Sequence, residues 1–467
     1  MSRRRQGYGG QAGSSLIKKG KTVFVAMSGG VDSSVAALLL KRQGYDVVGV
    51  FMRCYNIDGC AETDAEDARR VAERIGIPFY AWDFEEEYKK RVVEYMVEGY
   101  RKGITPNPDV MCNREIKFGL FLKRALAVGA DYVATGHYVA LRNTNQYEYT
   151  KEKNSSSYIR KKFIFRSLFQ AKDKNKDQSY FLWTLTQDDL RHCLFPIGDY
   201  TKPQVRAMAR RAGLPTAEKK DSQGICFLGK VSLADFLGRY IPVHRGALVG
   251  LNGKKIGEHR GAAFYTIGQR HGLGRMTWDK RHGTRGDGDT KPLYVAEKNV
   301  KKNIVTVAEG DDPALYKKEI TLTDLNFINL LHHPYNLPPS LTLWRAGGFL
   351  RMMKTQKVKK QMEQKRGKGI GVLARVRYRQ PLAPATLILS NSRELENKAT
   401  RAKKEGKGRM GLHASASGPR LRTASDGQAR WSAMLVFEHA QKFVAPGQSA
   451  VLYSKSGEML GGGVIVK

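Results

Sequence analysis

Between Lys21 and about residue 228, short apolar runs alternate with stretches of helical periodicity, and this alternation restricts the fold more than any other feature. Val23 to Met27 ends in a Gly turn and precedes a helix over Val35 to Lys41. Val47 to Met52 is the next strand, followed by an amphipathic helix from Glu62 to Ile75. Phe79 to Phe84, a helix around Tyr88 to Tyr100, another from Asn113 to Val128 and a strand from Tyr132 to Thr135 continue the order. Strands separated by such helices form βαβ units, so the spacing predicts an α/β fold with a doubly wound parallel sheet. Ligands of such sheets sit outside the carboxyl ends of the strands.

Beyond about residue 228 the alternation stops. RGALVGLNGKKIGEHRG lies in a Gly-rich stretch and predicts a small hairpin-containing α+β module reaching about residue 302. From 303 onward, runs at Ile304 to Ala308, Ile320 to Leu325, Gly371 to Tyr378, Ala433 to Phe437, Ser449 to Tyr453 and Gly463 to Val466 predict a C-terminal β-barrel. The expected organisation is a basic tail over 1–20, a catalytic unit over 21–228, a central module over 229–302 and the barrel over 303–467.

Segments at about 143–176, 279–291, 351–370 and 391–430 interrupt this order. Eight Lys or Arg against one acid occupy 351–370, and ten against four occupy 391–430, compositions that suit solvated insertions rather than core. They contribute to a chain-wide excess of 80 basic over 44 acidic side chains, a formal charge of +36, which favours a polyanionic partner. The longest unbroken apolar run, Val35 to Leu40, is far short of the roughly 20 residues a membrane span needs, so no membrane partner is expected. Arg3, Arg4 and Arg5 in an acid-free start read as a basic tail, with a mitochondrial targeting peptide as the other reading.

The stretch Ala26-Met27-Ser28-Gly29-Gly30-Val31-Asp32-Ser33 sits between the first strand and the first helix. Two glycines let the backbone turn tightly and bring N–H groups to an anion, and the helix N-terminus adds its dipole. No Lys follows the glycines, so the loop of γ-phosphate-transferring NTPases is absent. SGGVDSS resembles the PP-loop of ATP pyrophosphatases, which split ATP between the α- and β-phosphates. That resemblance implies ATP as substrate and Asp32 as a group organising Mg²⁺.

Five cysteines, an odd number scattered over a long chain, exclude a disulfide scaffold. Cys112 lies in TPNPDVMCNREIKFG, ahead of a helix, with Asp109 upstream and Arg114 and Lys117 after it, a setting that predicts a lowered thiol pKa. Cys226 lies in KKDSQGICFLG after two lysines and a Gly turn. Cys54 and Cys60 read as structural, Cys193 as a core residue of a helical stretch, and no spacing supports a zinc site.

TPNPDVMCNREIKFG, ATGHYVA, KNKDQSYFL, KKDSQGICFLG, RYRQP and PGQSAVLY occur in the order and spacing of one family. From Lys21 to the end, apart from the four basic segments, the chain resembles the MnmA-type tRNA-specific 2-thiouridylases. The resemblance implies that Met52 and Gly136 contact the adenosine of ATP. It places Asn107, Pro108 and Asp109 at the target base, and His137, Lys176, Asp177, Gln178, Arg377, Tyr378 and Gln448 against tRNA. Cys226 would carry a persulfide, Cys112 would be its partner thiol, and Asp109 would assist as an acid–base group. The implied partners are tRNAs accepting Lys, Glu or Gln and a desulfurase or relay protein supplying sulfur, in the cytoplasm of a bacterium. The basic segments have no counterpart in the family pattern, and Gln223 stands where the family commonly has Thr.

Other readings use the same residues: amidation or lysidine synthesis on the ATP loop, a non-catalytic RNA-binding relative, or an iron–sulfur or metal centre on Cys112, Cys226 and Asp109. Only the thiolation reading needs both the loop and the two thiols.

Overall fold

A computed structural model describes residues 20–55, 59–151, 158–221, 231–273, 275–276, 292–328, 369–391 and 431–466. Strands β1 (Thr22–Ala26), β2 (Asp46–Arg53) and β3 (Phe79–Asp83) alternate with helices α1 (Val31–Arg42) and α2 (Cys60–Ile75). Short helices α3 (Glu85–Tyr88) and α4 (Glu94–Arg101) follow, joined through a π-helical turn at Lys89–Val93. Helix α5 (Pro108–Cys112) runs through a second π-helical stretch, Asn113–Phe121, into α6 (Leu122–Ala127). After β4 (Tyr132–Ala134) come β5 (Val139–Lys151), β6 (Tyr158–Gln170), α7 (Gln187–Leu190), β7 (Cys193–Leu194) and α8 (Lys202–Arg211).

Five of these strands form a parallel sheet in the order β3-β2-β1-β4-β7. Val23 and Val25 are fully buried in it, and α1 packs Val35, Ala36, Ala37 and Leu40 into the layer beside it. The chain leaves β1 toward β2 and β3 and returns on the other side as β4. That reversal makes the carboxyl ends of β1 and β4 the switch point where a ligand crevice opens.

Two expectations fail here. The segment from 143 to 176 is largely an antiparallel ribbon, β5 on β6, paired in unbroken register from Val139↔Gln170 to Lys151↔Tyr158. Its aromatic and β-branched residues (Tyr147, Tyr149, Ile159, Phe163) supply strand propensity that the surrounding charges obscured. Cys193 is buried as expected, but it sits in strand β7, opposite Val133, rather than in a helix.

The next sheet follows α9 (Leu233–Gly238). Strands β8 (Gly246–Gly250) and β9 (Lys255–His259) form the expected hairpin, joined by β10 (Arg275–Met276), β11 (Leu293–Asn299) and β12 (Ile304–Glu309) in the order β10-β9-β8-β12-β11. The run at Ile304 to Ala308 therefore belongs here, pairing with β8, and not to the barrel: its alternation identified a strand but not its sheet.

Strands β13 (Tyr316–Phe327), β14 (Ile370–Arg375), β15 (Ala383–Asn391), β16 (Trp431–Lys442), β17 (Ser449–Tyr453) and β18 (Met459–Ile465) close a barrel in the order β13-β16-β15-β14-β17-β18. Gly461 closes it, since at φ +142° an added Cβ would lie 2.1 Å from the Asn326 carbonyl oxygen. The barrel is docked on the parallel sheet's unit. Tyr180 OH donates to Ser449 O (2.9 Å), Trp183 Nε1 to Ser449 Oγ (3.0 Å), and Asn326 Nδ2 to Trp183 O (2.7 Å). Residues 1–19, 279–291, 351–368 and 392–430, the tail and most of the basic segments, lie outside the described residues.

Candidate functional site

The loop after β1 is built for an anion. Gly29 has φ +70°, and a Cβ there would fall 2.3 Å from the Asp64 carbonyl oxygen, so only glycine fits. Gly30 holds the N-cap position of α1 in extended conformation, and no side chain caps the helix. First-turn amides of α1 therefore face the crevice without the usual side-chain acceptor. Ser33 braces the turn, its Oγ accepting from Ser28 N (3.1 Å) and donating to Gly30 O (3.1 Å). Ala26 and Met27 are buried beneath the loop, whereas Ser28 is exposed at its tip.

From β4 the segment Thr135–Tyr138 closes the other wall. Gly136 lies against the loop so tightly that a Cβ would stand 2.6 Å from Ser33 N. His137 is buried, with Nδ1 2.8 Å from Thr135 Oγ1 and its ring between Phe118 (6.2 Å) and Phe195 (6.4 Å). Burial, reinforced by the Lys117 charge, holds its pKa well below the usual value, so the imidazole is neutral at pH 7. Met52, half-buried at the end of β2 opposite Trp82, packs on the core beside the crevice.

An ion network that the sequence did not reveal lies on the loop. Lys202, first residue of α8, places Nζ 2.8 Å from both carboxylate oxygens of Asp32 and 2.7 Å from Asp221 Oδ1. Tyr138 OH donates to Asp32 Oδ1 (2.8 Å). Asp221 also meets Lys176 Nζ (2.5 Å) and Arg206 Nη2 (2.8 Å). Burial pushes the Asp221 carboxyl up, but hydrogen bonds from Lys176 and Lys202 outweigh it and hold the pKa down at about 2. Lys219 adds a second tie, to Asp64 (2.7 Å) and Asp67 (2.5 Å) on α2. The one local signal for Lys202 was TKPQ, with Thr201 and Gln204 forming a capping box around Pro203.

Cys112 departs from its sequence reading. It is inside the helical run that begins at Pro108, not ahead of a helix, and it is 6% exposed. Burial raises its thiol pKa, and the opposing charge of Lys117 does not compensate. Asn107 is the N-cap of α5, its Oδ1 accepting from Val110 N (3.2 Å), and Asp109 stands in the first turn. The approach to this cap is held by the barrel: Thr105 N donates to Pro446 O (2.7 Å), and Gln448 Nε2 donates to Thr105 O (2.9 Å). Lys117 acts electrostatically on both Cys112 and His137, and Gly136, next to His137, touches the loop after β1. Cys226 and Gln223 lie outside the described residues.

The residues expected to meet tRNA are distributed unevenly. Lys176 is half-buried in the Asp221 network. Asp177 is fully buried, accepting from Ala171 N (3.1 Å), Ser179 N (3.2 Å) and Ser179 Oγ (3.1 Å) and pairing with Arg375 Nη1 of the barrel (3.3 Å). Gln178 Oε1 accepts from Tyr138 N (3.0 Å). Tyr378 packs its ring 4.5 Å from that of Phe181, and burial lowers the pKa of the adjacent Arg377. Among the described residues, no three His, Cys, Asp or Glu side chains gather as a metal site.

Three family models match in order: tRNA methyl transferase HUP domain over residues 21–230, tRNA methyl transferase PRC-barrel domain over 234–309, and aminomethyltransferase β-barrel domain over 425–465. The tRNA-specific 2-thiouridylase MnmA of Streptococcus agalactiae is 38% identical over 449 residues, 95% of this chain and 94% of that protein. Its namesake from Staphylococcus epidermidis is 46% identical over 320 residues, 67% of this chain and 78% of that protein. Among solved structures, a 4-thiouridine synthetase–RNA complex with bound ATP aligns with TM-score 0.28 and 16% identity over 48% of this chain and 50% of that one. The near-complete coverage of the streptococcal protein shows that this chain belongs to the tRNA-specific 2-thiouridylase MnmA family.

Proposed function

We infer that this protein is an ATP-dependent tRNA-uridine 2-sulfurtransferase that converts the wobble uridine, position 34, to 2-thiouridine. The observation that carries this reading is the likeness to a protein named for that activity over 94% of its length. The site's chemistry supports it. A backbone anion cradle follows β1 and a thiol ends α5, and the reaction needs both.

In this reading Ala26, Met27, Ser28, Gly29, Gly30, Val31, Asp32 and Ser33 hold the ATP phosphates, and Met52 and Gly136 border the adenosine. Asn107, Pro108 and Asp109 present the target base to ATP. Asp32, whose oxygens accept from Lys202 and Tyr138, is the loop's one carboxylate for Mg²⁺, which takes most of its ligands from phosphate oxygens and water and would neutralise phosphate charge. The C2 carbonyl oxygen of uridine attacks the α-phosphorus, pyrophosphate leaves, and AMP becomes a leaving group on C2. The terminal sulfur of a Cys226 persulfide attacks C2 and expels AMP. Cys112 thiolate then attacks Cys226 Sγ, the sulfur–sulfur bond to the base breaks, and 2-thiouridine departs. A Cys112–Cys226 disulfide remains for an external dithiol to reduce. Because Cys112 is buried with a raised pKa, tRNA binding must open its surroundings and ionise it.

His137, Lys176, Asp177, Gln178, Arg377, Tyr378 and Gln448 are assigned to the tRNA side, with buried Asp177 and loop-bound Gln448 acting through neighbours. Lys-, Glu- and Gln-accepting tRNAs, a desulfurase or sulfur relay protein, and a bacterial cytoplasmic location complete the proposal. It is tested by thiolating unmodified tRNA with ATP and a persulfide source and reading retardation on a mercury-containing gel. ATP-dependent retardation that vanishes in Cys226→Ser and Cys112→Ser supports it. AMP formation on tRNA without retardation would leave only the adenylation half.

A further inference from the structure

We propose that Lys202 is the cation that contacts the ATP phosphates and the departing pyrophosphate, brought to the loop from α8 because the loop has none of its own. The proposal rests on the assignment of the Ala26–Ser33 loop to ATP. That loop carries backbone donors and one acid, Asp32, but no Lys or Arg between positions 26 and 34. Cleavage between the α- and β-phosphates puts negative charge on the leaving pyrophosphate, and the loop's own dipoles add no full countercharge to that of Mg²⁺.

Lys202 meets the requirement by position. Its side chain is only 10% exposed and ends on the loop, between Asp32 and Asp221. Its own backbone is fixed: Lys202 N donates to Asp173 Oδ2 (2.9 Å), and the Thr201 capping box sets the start of α8. The ion-paired side chains are Lys176, Lys202 and Arg206 with Asp32 and Asp221, and the Asp173 carboxylate stands beside them on the backbone of Lys176 and Lys202. The cluster lies beside the start of α1, which no side chain caps, and an ammonium has three donors to share between carboxylate and phosphate. A nearly buried, geometrically fixed ammonium loses little entropy on meeting a phosphate. The acids hold it in place, as a preorganised electrostatic site requires.

The competing account is that Lys202 only neutralises two acids. Lys202→Met leaves Asp32 without its cation while Asp221 keeps Lys176 and Arg206, and Lys202→Met with Asp221→Asn removes one charge of each sign from the network. Pyrophosphate release with saturating tRNA, melting temperature and tRNA affinity would be measured for both, with Lys202→Arg as the conservative variant. The expected result is at least a 100-fold loss of kcat/KM for ATP in both Met variants. The double variant should still melt cooperatively and bind tRNA, and the Arg variant should recover part of the rate. Recovery of ATP turnover in the double variant would overturn the proposal, because charge balance alone would then suffice. Failure of the wild-type protein itself to bind ATP or release pyrophosphate would instead remove the ATP-site reading beneath it.

Discussion

The side-chain amide of Gln448, on the turn leading into β17, donates to the backbone carbonyl of Thr105 at 2.9 Å across 343 positions of sequence. Thr105 returns a backbone bond to Pro446, and Gly447, at φ +91°, approaches the Thr105 backbone so closely that a Cβ would lie 2.9 Å away. A barrel turn thus serves as the mould for the strand of chain entering Asn107–Pro108–Asp109. Gln448→Ala should leave ATP affinity unchanged and lower kcat for thiolation by roughly 10- to 100-fold, because a displacement of about 1 Å at a reacting group costs that order. A direct tRNA contact would instead raise Kd for tRNA with kcat intact, which filter binding beside single-turnover kinetics distinguishes.

Burial of Cys112 and Cys193, both with raised thiol pKa values, predicts unequal alkylation. Iodoacetamide at pH 8 should label half-buried Cys54 ahead of Cys112 and Cys193, which stay protected by on the order of 10-fold or more. Adding tRNA and ATP should expose Cys112 and leave Cys193 protected. Peptide mass spectrometry resolves each site, and equal labelling of Cys112 with and without tRNA would contradict an opening step.

Asp177 and Arg375 form an ion pair whose side chains are 0% and 8% exposed, joining the sheet unit to the barrel. Removing one partner strands a buried charge, so Arg375→Met should destabilise by about 3–5 kcal/mol, read as a fall in melting temperature. Asp177→Asn, which keeps the shape and loses the charge, should cost less. A combined Asp177→Asn and Arg375→Met variant should fall well short of the sum of the two losses.

Lys298 donates to Tyr265 O (2.5 Å) and lies 5.6 Å from the Tyr100 ring, where burial lowers its pKa to about 8 from the ordinary 10.5. Below pH 8 both folded and unfolded chains carry the proton, and the folded state bears the full cost of a buried charge. Between pH 8 and 10.5 the folded state sheds the proton first, so stability rises with pH in that window. Denaturant melts across it should show this rise in the wild-type protein relative to Lys298→Met. Parallel pH profiles would refute it.

The sequence displayed what is local. Short apolar runs marked the strands, and Gly29 and Gly30 marked the anion loop, where the positive φ of Gly29 and its close backbone approach leave little other choice of residue. It concealed what depends on distance. Lys202 reaches Asp32 across 170 positions, and nothing around either residue records the meeting. The environment of Cys112 was misread for the same reason: neighbouring cations are visible in sequence, while the buried core around the thiol, where Tyr88 reaches it from α3, is assembled only on folding. Basic composition also hid the β5–β6 ribbon, whose pairing is set by alternation and is indifferent to charge.

The junction of β15 and β16 has a further consequence. Asn391 and Trp431 face each other on one rung of the barrel ladder, so the chain leaves and re-enters the fold at a single point. Such a junction is a socket: the barrel fixes how far apart the two ends stand. Loop-closure entropy grows only logarithmically, so each doubling of a flexible insert placed between two such ends costs about 0.6 kcal/mol. A barrel rung of this kind is therefore a place where flexible chain can be added at little cost to the strands on either side.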